Sequence, residues 1–304
     1  MSKLILIDGN AVMHRAFHAL PPLTTRDGEP INAVYGLVSM LLGLIQNFKP
    51  EYIAVAFDRK EPTFRKKLLV SYQAQRPVMD STLSSQFEKA VMVLEAFKIP
   101  IYSQAGFEAD DLIGTLSVRT VEGKEEVFAD EVIIVTGDRD ILQLVNDKVK
   151  VYLPTKGVSE GKVYDKNEVL LKLGCLPEQI VDYKALVGDQ SDNYPGVPGV
   201  GPKTATALLS KYGSYENIYN NLNQIPENTR KKLEEGKESG DLSYRLAKII
   251  TDMEIDVDLS LAGKWEVDSN EVLELFSEYG FKTLSERVKK VGKEIEKEKQ
   301  ESLF

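Results

Sequence analysis

Residues 106–112 read G-F-E-A-D-D-L, which sets Glu108, Asp110 and Asp111 within four positions. Three carboxylates so close together repel, and gathered into one metal site their charge would be offset by bound cations. Ala109, Leu112, Ile113 and Leu116 follow at the spacing of one helical face, so the acids fall at a helix start. A helix N-terminus tolerates acidic residues, each worth roughly 0.3–1 kcal/mol, and capping is the competing account of one or two of the three. Further acids stand at the ends of apolar runs: Asp8 closes K-L-I-L-I-D, Asp58 follows Y-I-A-V-A-F, and Asp138 and Asp140 lie in T-G-D-R-D. Asp189 and Asp192 form a second pair in G-D-Q-S-D-N. His14 and His18 stand at i, i+4, but Arg15 occupies the place where a zinc-protease helix needs glutamate. The D-x-D at 138–140 lacks the glycine and closing glutamate of a calcium loop.

These acids must be positioned by strands and helices that the pattern of apolar residues predicts. Strands are expected at 3–8, 52–57, 99–102 and 131–136, with helices after the first strand, at 32–48, at 86–97 and from the E-A-D-D group onward. Two short strands are expected at 149–153 and 162–164. Such alternation predicts an α/β doubly wound, mostly parallel central sheet flanked by helices, with ligand sites beyond the carboxyl ends of its strands. Four acidic segments then converge on one edge. Residues 59–84 are basic, with Arg59, Lys60, Arg65, Lys66, Lys67 and Arg76 around Phe64 and Tyr72. A solvated face and a mobile clamp over an anionic substrate both account for that run.

Beyond about residue 165 the pattern is helical, at 180–187, 215–221, 227–235, 243–250 and 269–279. It includes P-G-V-P-G-V-G-P-K-T, where Gly196, Gly199, Gly201, Lys203 and Thr204 suit a helix-hairpin-helix phosphate clamp, a tight structural turn being the alternative. The expected organisation is an α/β domain over 1–165, a helical domain over 166–288 and a Lys/Glu-rich tail over 289–304, read as a solvated helix or a flexible extension. Trp265 and the single cysteine, Cys175, are read as core.

The 304 residues, 42% hydrophobic and 28% charged, suit a globular chain with a sizeable core. The longest apolar-rich run, 34–45, contains glycine and serine and is too short to span a bilayer, which points to a cytoplasmic protein without a membrane partner. One cysteine excludes an intrachain disulfide and suits a reducing compartment. The formal charge of −9 argues against a nucleic-acid partner unless many carboxylates share one metal site.

I-D-G-N at the first strand, A-F-D at 56–58, G-F-E-A-D-D, T-G-D-R-D and G-D-Q-S-D-N-Y-P-G-V-P-G-V-G-P-K-T-A together resemble the 5′ nuclease domain of bacterial family-A DNA polymerases and its free-standing relatives, within the flap endonuclease superfamily. The likeness covers residues 2 to about 290. It implies a PIN-like, flap endonuclease fold and a Mg²⁺- or Mn²⁺-dependent nuclease acting by a two-metal mechanism. The substrates implied are 5′ flaps and 5′ ends of duplex DNA and RNA primers on DNA, in replication and repair near the nucleoid. By the family's motifs Asp8, Asp58, Glu108, Asp110 and Asp111 form a first acidic group, and Asp138, Asp140, Asp189 and Asp192 a second. These nine equal the whole formal charge of −9, so the rest of the chain is balanced. Oxygen-only ligands favour Mg²⁺ or Mn²⁺ over zinc. Arg15 resembles the family's phosphate-contacting arginine. The resemblance further implies DNA contacts from Arg59, Arg65, Lys66, Lys67, Tyr72 and Arg76 of the clamp, duplex binding at the glycine turn, and K⁺ held there by carbonyls.

One position departs: where the family's clamp has Y-K-x-x-R, this chain has Tyr72-Gln73-Ala74-Gln75-Arg76. The terminal Gln300-Glu301-Ser302-Leu303-Phe304 resembles the peptide by which bacterial replication proteins dock to the sliding clamp, and a DNA polymerase is a second expected partner. The competing readings are a PIN-like ribonuclease, a DNA-structure binding module with weakened chemistry, and the excised nuclease domain of a longer polymerase.

Overall fold

A computed structural model describes residues 1–123, 127–158 and 160–301. The apolar runs form β1 (Lys3–Asp8), β2 (Tyr52–Ala56), β3 (Ile101–Tyr102), β4 (Glu131–Val135), β5 (Val149–Lys156) and β6 (Glu160–Tyr164), in the sheet order β3-β2-β1-β4-β5-β6. All neighbours pair in parallel except β5 and β6, which form an antiparallel hairpin. β1, β2 and β4 are buried on both faces, as parallel strands covered by helices must be. Their register matters most for function. Asp8 pairs with Ala56 and Ile7 with Val135, so the carboxyl ends of the three strands are level.

Between and after the strands run α1 (Gly9–Ala19), α2 (Asn32–Phe48), α3 (Phe64–Leu68), α4 (Ser81–Ser84), α5 (Phe87–Ala96), α6 (Ala109–Val121) and α7 (Lys166–Leu173). The helical half adds α8 (Ile180–Val187), α9 (Pro202–Tyr212), α10 (Tyr215–Asn220), α11 (Glu227–Glu235) and α12 (Lys237–Ala247), and the chain closes with α13 (Asn270–Tyr279) and α14 (Lys282–Glu301). Ile5, Ile7, Ile53 and Val55 point to a core shared with α2 and α5, while Leu4, Leu6, Ala54 and Ile134 point to one shared with α6. A third core joins α8 to α9, α10 and α11. Among the described residues no helix is long and apolar enough to cross a membrane.

Three expectations are corrected. The helix expected at 243–250 begins at Lys237 and stops at Ala247. Gly240, inside this helix, is a contact point: a Cβ on it would stand 2.3 Å from the Tyr215 hydroxyl. The boundary expected at 288 does not follow the packing, because Phe276, Leu284, Val288 and Val291 join the core of Ile5, Val34 and Leu41. α13 and α14 thus return to the sheet, and the stripe Leu284, Val288, Val291, Ile295 carries α14 along α2, so the tail begins as a helix with Val291 and Ile295 on the core side. Trp265 is only partly buried, its indole N–H donating to the Glu51 carbonyl at 3.2 Å, whereas Cys175 is buried as expected.

Candidate metal centre and nucleic-acid interface

Level strand ends bring the first acidic group together. Asp8 caps α1 by accepting the Ala11 N–H at 2.9 Å, and its other oxygen accepts the Thr136 hydroxyl at 2.7 Å. Thr136 ends the β4 run and also accepts the Asp138 N–H at 3.0 Å, so one side chain links acids from two strands. Asp58 accepts the Ala109 N–H at 2.7 Å, while its own N–H donates to Asn10 at 2.9 Å. The crowding is visible in the protonation behaviour. Burial, then the charges of Asp138, Asp8, Asp58 and Glu108, push Asp110 well above the usual carboxylate range. Burial also raises Asp8 and Glu108 to about 7.

Asp111 stands apart. It is wholly buried, and the Arg65 guanidinium takes both its oxygens at 2.7 and 2.8 Å. The same carboxylate accepts the N–H groups of Glu108 and Ile250 at 3.1 and 2.9 Å. Its expected place among the metal ligands is therefore corrected: its lone pairs are spent on the protein. Arg65 is corrected with it, because a guanidinium also bonded to the carbonyls of Leu246 and Lys248 at 2.9 and 2.8 Å, with a side chain 3% exposed, is not available to DNA.

The second acidic group is assembled around Lys184, which the sequence reading missed. Its ammonium on α8 bonds Asp140 and, at 2.5 Å, Asp189. Burial raises Asp140 to about 6, with Asp138 adding to the rise and Lys184 opposing it. Burial acts on Asp189 too, but the bonds from Lys184 and Ser191 outweigh it and hold that carboxylate near 2. The one available signal for Lys184 was its place in K-A-L-V-G-D, just over one helical turn before an acid. Asp192 is buried and bonded to Arg76 at 2.6 Å.

The cleft enclosed by these residues measures about 840 Å³, and Asp8, Asp58, Glu108, Asp110, Asp138, Asp140 and Asp192 all line it, with Asp189 lining an adjoining one. The donors fit hard divalent ions: they are carboxylate oxygens, buried together and mutually repelling, a repulsion that cations would offset. Among the described residues no three His, Cys, Asp or Glu side chains stand close enough to hold a metal ion between them. Mg²⁺ does not require such a cage, because it keeps several waters and takes only one or two carboxylates directly. His14, from α1, also faces the cleft.

Arg15 does not face it. Its guanidinium donates to the carbonyls of Gly157 and Thr155 at 3.2 and 2.8 Å, which fixes α1 to the β5–β6 hairpin and corrects its expected phosphate contact. The basic segment crosses the cleft as α3, a turn and α4, and Arg59, Lys60, Lys66, Gln73 and Arg76 line the opening. Lys67 is exposed beside them. Tyr72 is 3% exposed, with its hydroxyl 3.4 Å from Glu108 and 3.3 Å from Asp192, so it joins the two acidic groups instead of offering a face to DNA. Gln73 has a positive φ of 56° and donates its N–H to the Asp192 carbonyl at 2.9 Å. The clamp base is thereby sewn to the loop of the second acidic pair.

At the glycine turn, Pro202 opens α9 and Gly199, Gly201 and Lys203 are exposed, with Thr204 half-buried. Gly196 is different. It is buried at φ 66°, and a Cβ on it would stand 2.2 Å from the Gly188 nitrogen, so it closes the loop carrying Asp189 and Asp192 and does not reach a ligand, a correction to its expected DNA contact.

Residues 3–174 match the family model of the 5′-3′ exonuclease N-terminal, resolvase-like domain, and residues 175–270 that of the 5′-3′ exonuclease C-terminal SAM fold. The chain belongs to the 5′-3′ exonuclease family. Within that family, DNA polymerase I of Caldicellulosiruptor bescii is 41% identical over 288 residues, covering 94% of this chain and 33% of that protein. The chain thus spans about a third of the polymerases it matches. A 5′-3′ exonuclease of Aquifex aeolicus is 38% identical over 305 residues and is covered over 100% of both chains. The flap endonuclease of bacteriophage T5, solved with DNA and metal ions, shares the fold at a TM-score of 0.66 and 20% identity, over 95% of this chain and 97% of that one.

Proposed function

We propose that the chain hydrolyses phosphodiesters at 5′ flaps and 5′ ends of duplex DNA, and in RNA primers annealed to DNA, in replication and repair in the cytoplasm. The observation that carries this reading is the convergence of acids from four segments on one sheet edge, under a basic segment that crosses the opening. Asp8, Asp58, Glu108 and Asp110 would hold one divalent cation, and Asp138, Asp140, Asp189 and Asp192 a second. When bound, Mg²⁺ or Mn²⁺ would supply Lewis acidity at the scissile phosphate and lower the pKa of an attacking water. Thr136 keeps Asp8 oriented, and Lys184 offsets the repulsion between Asp140 and Asp189. Arg76, half exposed at the rim, is placed to meet the phosphate as it enters. The exposed amides at Gly199, Gly201 and Lys203 would hold the duplex by its backbone without reading sequence. The Gly199 carbonyl already accepts a cation, the Lys232 ammonium at 3.1 Å, which supports K⁺ at that turn. Q-E-S-L-F would dock a sliding clamp; Leu303 and Phe304 lie outside the described residues, and Gln300 is exposed near the end of α14. A DNA polymerase leaving a flap at a nick would supply the substrate.

The test is cleavage of a double-flap DNA labelled at its 5′ end. A short labelled product with Mg²⁺, and none with EDTA or with Asp138→Asn, is expected. Flap binding without Mg²⁺-dependent cleavage would overturn the proposal.

A further inference from the structure

A second cleft is larger than the acidic one. It measures about 1230 Å³ and lies between the end of α2, the segment 263–269 and the outer face of α14. It is remote from the metal centre: Pro50 and Glu51 on its wall precede β2, whereas Asp58 follows that strand, and five strand residues span on the order of 17 Å. Neither the proposed hydrolysis nor the duplex grip uses it.

Its floor is apolar, made by Ile45, Val267 and Val291, and its walls carry Trp265 and Ile295, both only partly buried. The rim is strongly negative. Six carboxylates line the cleft against one ammonium, that of Lys49. Lys49 and Lys98 neutralise Glu298 and Glu266, and Lys290 reaches Glu294 at 3.9 Å. Glu51, Asp268 and Glu296 have no ion-pair partner among the described residues. An elongated apolar trough flanked by uncompensated carboxylates disfavours nucleic acid and anionic membrane alike, and complements a cationic amphipathic helix.

We propose that this cleft docks a lysine- and arginine-rich amphipathic helix of a protein partner. One apolar side chain of the helix enters between Trp265 and Ile295, and its cations meet Glu51, Asp268 and Glu296. The acidic rim speeds encounter and sets selectivity, while the apolar contact supplies residence time. Because the site opens away from the metal centre, the partner can stay bound while DNA is cut.

Trp265 is the sole tryptophan of the chain, so the cleft carries its own reporter. The full chain, with Mg²⁺ present, is titrated with a synthetic 18-residue peptide of lysines and leucines at helical spacing, and with a glutamate–leucine counterpart. The lysine peptide is expected to shift the Trp265 emission saturably, and the glutamate peptide to leave it unchanged. The double variant Glu51→Lys/Glu296→Lys, checked for fold by circular dichroism, is expected to weaken the lysine peptide at least tenfold while retaining flap cleavage. No emission change overturns the proposal, as does equal binding by the double variant, which would put the peptide on other acids. If the double variant fails to fold, Glu51→Gln with Glu296→Gln replaces it, and the same comparison decides.

Discussion

Burial pushes the carboxyl of Asp182 up to about 6, against a lowering bond from the Tyr215 backbone. Asp182 lies on α8, away from the proposed metal ligands, so its effect on stability can be read cleanly. The ordinary value is 3.8, so between about pH 4 and 6 the folded chain binds a proton that the unfolded chain has released. Its contribution to stability therefore falls as pH rises through that window and stays low above it. Asp182→Asn should stabilise the protein by about 1–3 kcal/mol at pH 7.5, with the gain fading toward pH 4 in thermal melts. A variant less stable at both pH values would refute this. Gln73 makes a second case at the same scale. Two cations of the same clamp are already engaged, Lys66 with the Tyr72 carbonyl at 2.7 Å and Arg76 with Asp192. Charge-assisted contacts are about twice as strong as neutral ones. Gln73→Lys should therefore raise the single-turnover rate of flap cleavage severalfold, and an unchanged rate in an already fast enzyme would remove the argument.

Elements are held in place by contacts that no local pattern announces. α3, the start of α6 and the strand-like exit from α12 meet at the buried pair of Arg65 and Asp111. Removing one partner of a buried pair leaves an uncompensated charge and costs about 3–5 kcal/mol. Arg65→Met and Asp111→Asn should each lose stability on that scale in urea unfolding, while Mn²⁺ affinity of the folded protein changes less than threefold. Lost metal affinity with intact stability would restore Asp111 to the ligand set. Much of the layout was legible: strand positions follow from apolar runs that need burial, and Asp8, Asp58 and Asp138 follow from the rule that parallel strands present their carboxyl ends together. Arg65, Arg15 and Tyr72 were not. A basic or aromatic residue reads as surface until tertiary structure supplies carbonyls and carboxylates to it, and those partners lie from 36 to 183 residues away. α13 and α14 were missed as part of the sheet layer for the same reason, since an apolar helical stripe does not say which core it joins.

For the molecule as a whole, the net charge of −9 is compatible with the proposed DNA substrate because carboxylates gather in the cleft and in the trough beside α14, away from the basic clamp. Lys60 and Lys67 of the clamp and Lys203 of α9 are exposed, where phosphate can reach them. The fold carries these surfaces at opposite ends of the same strands, so chemistry and docking need not compete. Single-turnover cleavage of a 5′-labelled double flap at saturating enzyme, comparing wild type with Asp110→Asn in Mg²⁺, tests this account most directly. It predicts that Asp110→Asn, with unchanged flap binding and fold, loses at least about a hundredfold in rate, the scale of removing a preorganised electrostatic group from a reacting site. A variant that cuts the flap as fast as wild type would contradict the assignment of the cleft as the catalytic metal centre.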